Sequence, residues 1–153
     1  MPSALDNCAR GLLETAPLIM RTVRKEMRSR RGPDLSVPQF RSLSFIRRNA
    51  DASLSHLAEH LGLTLPSTSK LIDGLVKKNL VVRQESTMDR RRMALALTKH
   101  GNAILAVARA GTQAHLTEIL RQLPARDLDV VYKAVNLLHP LFAVDAKSGE
   151  SRS

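Results

Sequence analysis

Two short amphipathic stretches meet at Gly62, and a basic hairpin pattern follows the second of them at once. This order of signals narrows the possible folds more than any other feature of the chain. In the first stretch Ser55 is read as the helix cap, Leu57, Ala58 and Leu61 as the inward face, and Gly62 as the residue that stops the helix. In the second, Thr64 is the cap and Pro66 lies in the first turn, where a missing N–H does no harm. Thr68, Leu71, Ile72, Leu75 and Val76 recur at helical spacing and form its inward face. Asn79, a residue that tolerates the left-handed conformation, can end it.

Leu80 to Gln84 and Met93 to Thr98 read as two strands separated by the polar stretch Glu85 to Arg92. Met93, Leu95 and Leu97 alternate with Ala94, Ala96 and Thr98, so the pair reads as a hairpin with a long, flexible, basic tip. The order is helix, turn, helix, wing. On the helix before the hairpin, Pro66, Ser67, Ser69, Lys70, Asp73 and Lys77 lie off the apolar face. These groups gather near the end that enters the major groove in helix-turn-helix docking. Ser67, Ser69 and Lys70 are the candidates for base-edge and phosphate contacts. At the tip, Asp89 stands beside Arg90, Arg91 and Arg92; arginine suits a narrow minor groove, and a carboxylate can orient a neighbouring guanidinium.

Longer helices flank this unit. Leu5, Cys8, Leu12, Ile19, Val23 and Met27 space one amphipathic helix that runs to the Arg30-Arg31-Gly32-Pro33 breaker, with Pro17 expected to bend it. Ser36 caps a helix whose stripe is Val37, Phe40, Leu43 and Ile46 and which ends near Asn49. Thr98 caps another, through about Leu123; after Pro124 a last helix carries Leu128, Val131, Val135, Leu138 and Phe142, a stripe that asks for a partner. The expectation is a single mainly α domain over 1–144, with a winged core at about 36–98, flanking helices at about 5–30 and 99–143, and a disordered polar tail at 145–153.

The formal net charge of +10 over 153 residues surrounds a small body with positive potential, as in a nucleic-acid binder. Charge alone leaves DNA, RNA and anionic membrane surfaces open. No apolar run approaches membrane-spanning length and Met1 to Arg10 lacks the pattern of a secretory signal; with Cys8 as the one cysteine, a cytoplasmic protein is expected. No nucleophile–base pair, phosphate loop or convincing metal cluster is present, so no enzyme and no cofactor is expected.

The segments Leu61-Gly62-Leu63-Thr64, Ser67-Thr68-Ser69-Lys70-Leu71-Ile72-Asp73, Leu80-Val81-Val82-Arg83, Asp89-Arg90-Arg91 and Leu95-Ala96-Leu97-Thr98-Lys99-His100-Gly101 together resemble the MarR (multiple antibiotic resistance regulator) family. The resemblance runs from the first helix to the last. It implies a homodimer joined through the first, fifth and sixth helices, a pseudo-palindromic double-stranded DNA operator, and repression relieved by a small aromatic or phenolic effector. It also implies that Asp89 orients Arg91, with Arg90 and Arg92 near phosphates. Three positions depart from the family pattern: Asn79 for Gly, Ser86 for an acidic residue, and Gly74 for a long polar one. A basic winged-helix module acting on RNA or on DNA architecture without reading bases is the alternative, and preference for an operator over random duplex separates the two.

Three features have a sharper and a plainer reading. His56-Leu57-Ala58-Glu59-His60 matches a zinc-protease string, but its imidazoles and Glu59 share the solvated face, so no metal site is expected. Cys8 near the start of the first helix sits where some relatives carry a peroxide-sensing thiol; on the apolar stripe, with Tyr132 as the lone tyrosine, it reads better as a buried interface residue. Arg21, Arg24, Lys25, Arg28, Arg30 and Arg31 either extend the DNA footprint or meet an acidic ligand, or form a solvated face favoured by the helix dipole.

Overall fold

The computed structural model describes residues 1–149, with side chains through residue 143. Six helices and one hairpin follow in the order α1 (Ala4–Ser29), α2 (Val37–Arg48), α3 (Leu54–Leu61), α4 (Leu65–Lys77), β1 (Val81–Glu85), β2 (Met93–Leu97), α5 (Lys99–Leu120) and α6 (Ala125–Gly149). The chain divides after Gln113 into two compact units.

Local chemistry sets most of the boundaries. Ser36 caps α2 in a reciprocal box with Gln39: the Ser36 hydroxyl oxygen accepts from the Gln39 amide at 3.2 Å and Gln39 accepts from the Ser36 amide at 3.0 Å. Two helices then end in the same way. Gly62, at φ +69°, lets its amide reach the carbonyl of Glu59 at 3.2 Å and the Leu63 amide reach that of Ala58 at 3.0 Å. Asn79, at φ +57°, repeats the pattern after α4, its amide reaching Val76 and that of Leu80 reaching Leu75, both at 3.0 Å.

One boundary differs from the sequence reading. The cap of α3 is Ser53, whose hydroxyl oxygen accepts from the His56 amide at 3.1 Å, and Ser55 lies inside the helix. The earlier start follows from Ala52, which is drawn into the sheet: its carbonyl accepts from the Leu95 amide at 2.8 Å, forming an isolated bridge beside β2.

β1 and β2 pair antiparallel, Val81 facing Leu97 and Glu85 facing Met93. Ala94 and Leu95 are both buried while Met93 is exposed, a departure from simple alternation at the place where Ala52 joins. The core of the first unit gathers Leu35, Phe40, Leu43, Ile46, Leu57, Ile72, Leu75, Leu80, Val81, Leu95, Leu105 and Ala108. Each large aliphatic among them contributes roughly 1.5–3 kcal/mol by leaving water. The inward residues expected of α2 and α3 are buried or half-buried; on α4, Val76 is instead exposed.

Thr98 ties the hairpin to α5. Its hydroxyl donates to the Asn79 carbonyl at 2.6 Å and accepts from the Gly101 amide at 3.0 Å, making it the expected cap. Gly101 is buried against the Leu80 carbonyl, where a methyl group would stand 2.3 Å from that oxygen.

α1 begins in a capping box between Ser3 and Asp6, continues through Pro17, and buries none of its residues. Cys8 is exposed on it in the single chain. In the second unit, α6 leaves Leu128, Val135 and Phe142 exposed. Its helix extends to Gly149, into the stretch expected to be a disordered tail, and residues 150–153 lie outside the described ones.

Candidate nucleic-acid interface

Thr64 organises the start of α4. Its hydroxyl oxygen accepts from the Ser67 amide at 3.3 Å, and its hydroxyl donates to the Ser67 hydroxyl at 3.0 Å. Thr68 is fully buried and its hydroxyl donates to the Thr64 carbonyl at 2.8 Å. With Thr68, Ile72 and Leu75 packed inward, Pro66, Ser67, Lys70, Asp73 and Lys77 are exposed and Ser69 is half-buried. Lys70 and Lys77 have no hydrogen-bond or ion-pair partner among the described residues, which leaves both ammonium groups available to a polyanion.

Asp73 lies on the outward face, as helical spacing predicts, and has a partner there. Its carboxylate pairs with the Arg83 guanidinium of β1 at 2.6 Å, so it holds a cation of the hairpin against α4. Arg83 was passed over as a site residue because the pair joins two elements across ten positions.

The wing is braced where a flexible projection was expected. The Ser86 amide donates to the Arg92 carbonyl at 2.8 Å, and the Arg92 amide donates to the Asp89 carbonyl at 3.0 Å, closing the loop on itself. Ser86, 2% exposed, accepts from the amides of Met88 and Asp89, each at 3.1 Å. Asp89 then accepts from the Arg91 amide at 3.0 Å and faces the Arg91 Nε at 3.5 Å, the pairing that the family resemblance implies. Arg91 extends from the tip with its side chain 94% exposed.

The base of the wing rests on Asp51, a residue that sequence reasoning did not single out. It stands at φ +61° in the turn between α2 and α3, and its carboxylate accepts from the Ser86 hydroxyl, from the Thr87 amide at 2.9 Å and from the Arg92 guanidinium at 3.0 Å. The Ser86 hydrogen bond most of all, and then the Thr87 amide and Arg92, hold the Asp51 carboxyl below its usual pKa against the opposing effect of burial. Arg92 is therefore engaged within the protein, and Arg90 and Arg91 are the forward cations of the loop.

A concavity of about 630 Å³ opens in the first unit among α1, α2 and α5. Met20, Val23, Met27, Phe40 and Leu105 give it an apolar lining, and Arg24, Arg28, Arg41, Arg47, Arg48 and Arg109 line it with cations. Two residues of the basic α1 cluster thus face this cleft. Arg30 instead pairs with Glu26 at 3.2 Å, and Arg31 donates to the carbonyls of Leu35 and Arg28. His60, from the zinc-protease string, also lines the cleft and stacks on Phe45 with ring centroids 4.7 Å apart. Burial, and then the charges of Arg41 and Arg48, lower its pKa.

Comparison with known proteins agrees with this arrangement. Residues 34–92 match the model of the MarR family. An uncharacterised HTH-type transcriptional regulator of Bacillus subtilis, YfiV, is 29% identical over 105 residues, which cover 69% of this chain and just under two thirds, 66%, of that relative. The transcriptional regulator Tm0710 of Thermotoga maritima has the same fold with a TM-score of 0.70, at 18% identity, over 92% of this chain and 97% of that one. S. aureus MepR, solved with ethidium bromide bound, superposes with a TM-score of 0.59 at 17% identity over 89% of this chain and 95% of its own. A mutant of MepR bound to an oligodeoxyribonucleotide superposes with a TM-score of 0.56 at 17% identity, over 89% of this chain and 96% of that one. Helix, turn, helix and wing thus agree in sequence pattern and in geometry with these relatives, and the segment that carries them, residues 34–92, is similar to the MarR family.

Proposed function

We propose that this protein is a ligand-responsive repressor that binds a pseudo-palindromic operator as a homodimer. One observation carries the reading: Lys70 on α4 and Arg91 on the wing are both exposed, on elements that the Asp73–Arg83 ion pair fastens together. In this reading Ser67, Ser69 and Lys70 meet base edges and phosphates in the major groove. Arg91 enters the neighbouring minor groove, and Arg90 lies near its phosphates. The exposed apolar faces of α1 and α6 meet their copies in a second chain and set the two half-sites about one helical turn, roughly 34 Å, apart. The MepR mutant solved with an oligodeoxyribonucleotide supports the DNA assignment by likeness of fold.

The effector in this reading is a small aromatic anion. An apolar lining admits a ring, and six arginines around one cleft favour a carboxylate or phenolate over a cation. Occupancy weakens DNA binding to the extent that the ligand prefers one separation of the recognition helices over another.

Selection of bound duplexes from a random pool tests the proposal. An inverted repeat, preferred over random duplex by roughly 10³-fold or more, is the expected result, and steep salt dependence without sequence preference counts against it. Titration of phenolic acids against the selected operator tests the effector, and an unchanged affinity throughout the series excludes it.

A further inference from the structure

Asp51 and Arg91 lie at opposite ends of an unbroken series of contacts. The Asp51 carboxylate receives the Ser86 hydroxyl; Ser86 receives the amides of Met88 and Asp89; Asp89 receives the Arg91 amide. The same carboxylate holds the Thr87 amide at 2.9 Å and the Arg92 guanidinium at 3.0 Å, and its side chain is only 10% exposed. Three residues of the loop, Ser86, Thr87 and Arg92, therefore bond directly to one carboxylate that belongs to the helix-turn-helix body, and Met88, Asp89 and Arg91 follow through Ser86 and Asp89.

We infer that Asp51 is a positioning residue for DNA recognition. It sets the direction in which Arg91 leaves the wing, and it withholds Arg92 from the phosphates. The inference rests on the DNA-binding reading above and adds to it a role for Asp51, Ser86 and Arg92. A pre-ordered loop loses less conformational freedom on binding. Its guanidinium then responds to the width of the minor groove, which a freely moving cation would sample only on average. With Arg92 engaged, one counterion fewer is released from the phosphates.

The test uses full-length protein and the operator recovered by selection, in versions whose wing-contacted flanks are A·T-rich or G·C-rich. Wild type is expected to prefer the A·T-rich flank by about tenfold. Asp51→Asn, which keeps a side chain that tolerates φ +61°, and Ser86→Ala should lower that preference to under about threefold while leaving the penalty for mismatches beneath α4 unchanged. Each ratio is internal to one variant, so a reduced fraction of folded protein cancels. Asp51→Asn should also steepen the salt dependence by about one phosphate contact, whereas Arg92→Gln, which leaves the Ser86 and Thr87 contacts in place, should keep the flank preference. In the free protein, the amides of Met88 and Asp89 should exchange about tenfold faster with solvent in Ser86→Ala than in wild type.

Unchanged flank preference in both Asp51→Asn and Ser86→Ala overturns the positioning role and leaves the regulator reading intact. Amides that exchange equally fast in wild type and Ser86→Ala overturn it as well. A wild type with no preference for any duplex overturns the regulator reading, and the positioning role falls with it.

Discussion

Arg83 reaches from β1 to Asp73 on α4 at 2.6 Å, a side-chain pair that joins the helix carrying Lys70 to the hairpin carrying Arg91. Both partners are partly solvated, with 35% and 54% of their side chains exposed, so the pair adds only about 0.2–1 kcal/mol to stability. Its value lies in orientation. Arg83→Ala and Asp73→Ala should each weaken operator binding by roughly tenfold, about 1.4 kcal/mol, with less than about 1 kcal/mol lost in urea unfolding. The double variant should bind much like either single one, because each removes the same link. Additive losses in a double-mutant cycle would separate the two residues.

Lys70→Ala and Arg91→Ala should have different signatures. Loss of Lys70 is expected to cost about 1–3 kcal/mol and to relax preference at bases beneath α4 or, if it meets a phosphate, to lower the salt slope by about one. Loss of Arg91 should weaken binding most at sites with narrow A·T-rich minor grooves. Competition binding against flank and half-site variants measures both. Equal and negligible effects would refute the interface.

Gly101→Ala should be the most damaging single methyl group in the first unit. The added carbon would stand 2.3 Å from the Leu80 carbonyl, and that backbone can retreat only by disturbing the Thr98 cap and the hairpin exit together. A loss of about 2–3 kcal/mol in urea denaturation is expected, and a change below about 0.5 kcal/mol would show that α5 shifts freely.

His60 gives stability a dependence on mild acid. Its pKa is lowered by burial and by Arg41 and Arg48, so between the folded value and the ordinary value of about 6.5 the unfolded chain binds more protons. This contribution is complete above about pH 6.5 and is lost as pH falls from there through the folded value. His60→Gln should flatten that part of the curve when unfolding midpoints are compared between about pH 7.5 and 5.5. A slope that persists in the variant would assign it to another group.

Much of the fold was legible because its signals are local. Ser36, Thr64 and Thr98 act as caps, and Gly62 and Asn79 take left-handed turns, within a few residues of the helices they bound. Relations across the chain were hidden. Helical spacing alone placed Asp73 on an outward face and could not reveal Arg83 beside it. Ser55 was a plausible cap until Ala52, bridged to Leu95, set the start of α3 at Leu54. The run from Ser86 to Arg92 looked mobile because the Asp51 carboxylate that orders it lies in a different turn. Val76 continued the apolar spacing of α4 and is nevertheless exposed, since periodicity does not say where a packing neighbour ends.

The bridge between Ala52 and Leu95 has a further effect on solubility. Met93 to Leu97 is a short uncharged run of apolar residues, the composition that adds readily to strands of other molecules. In the folded protein one side of that run is paired along β1, and on the other the Leu95 N–H is already taken by Ala52. Arg90, Arg91 and Arg92 before it and Lys99 shortly after add like charges that repel a second copy. A single backbone hydrogen bond from a turn thus blunts a strand edge that would otherwise invite stacking in a crowded cell.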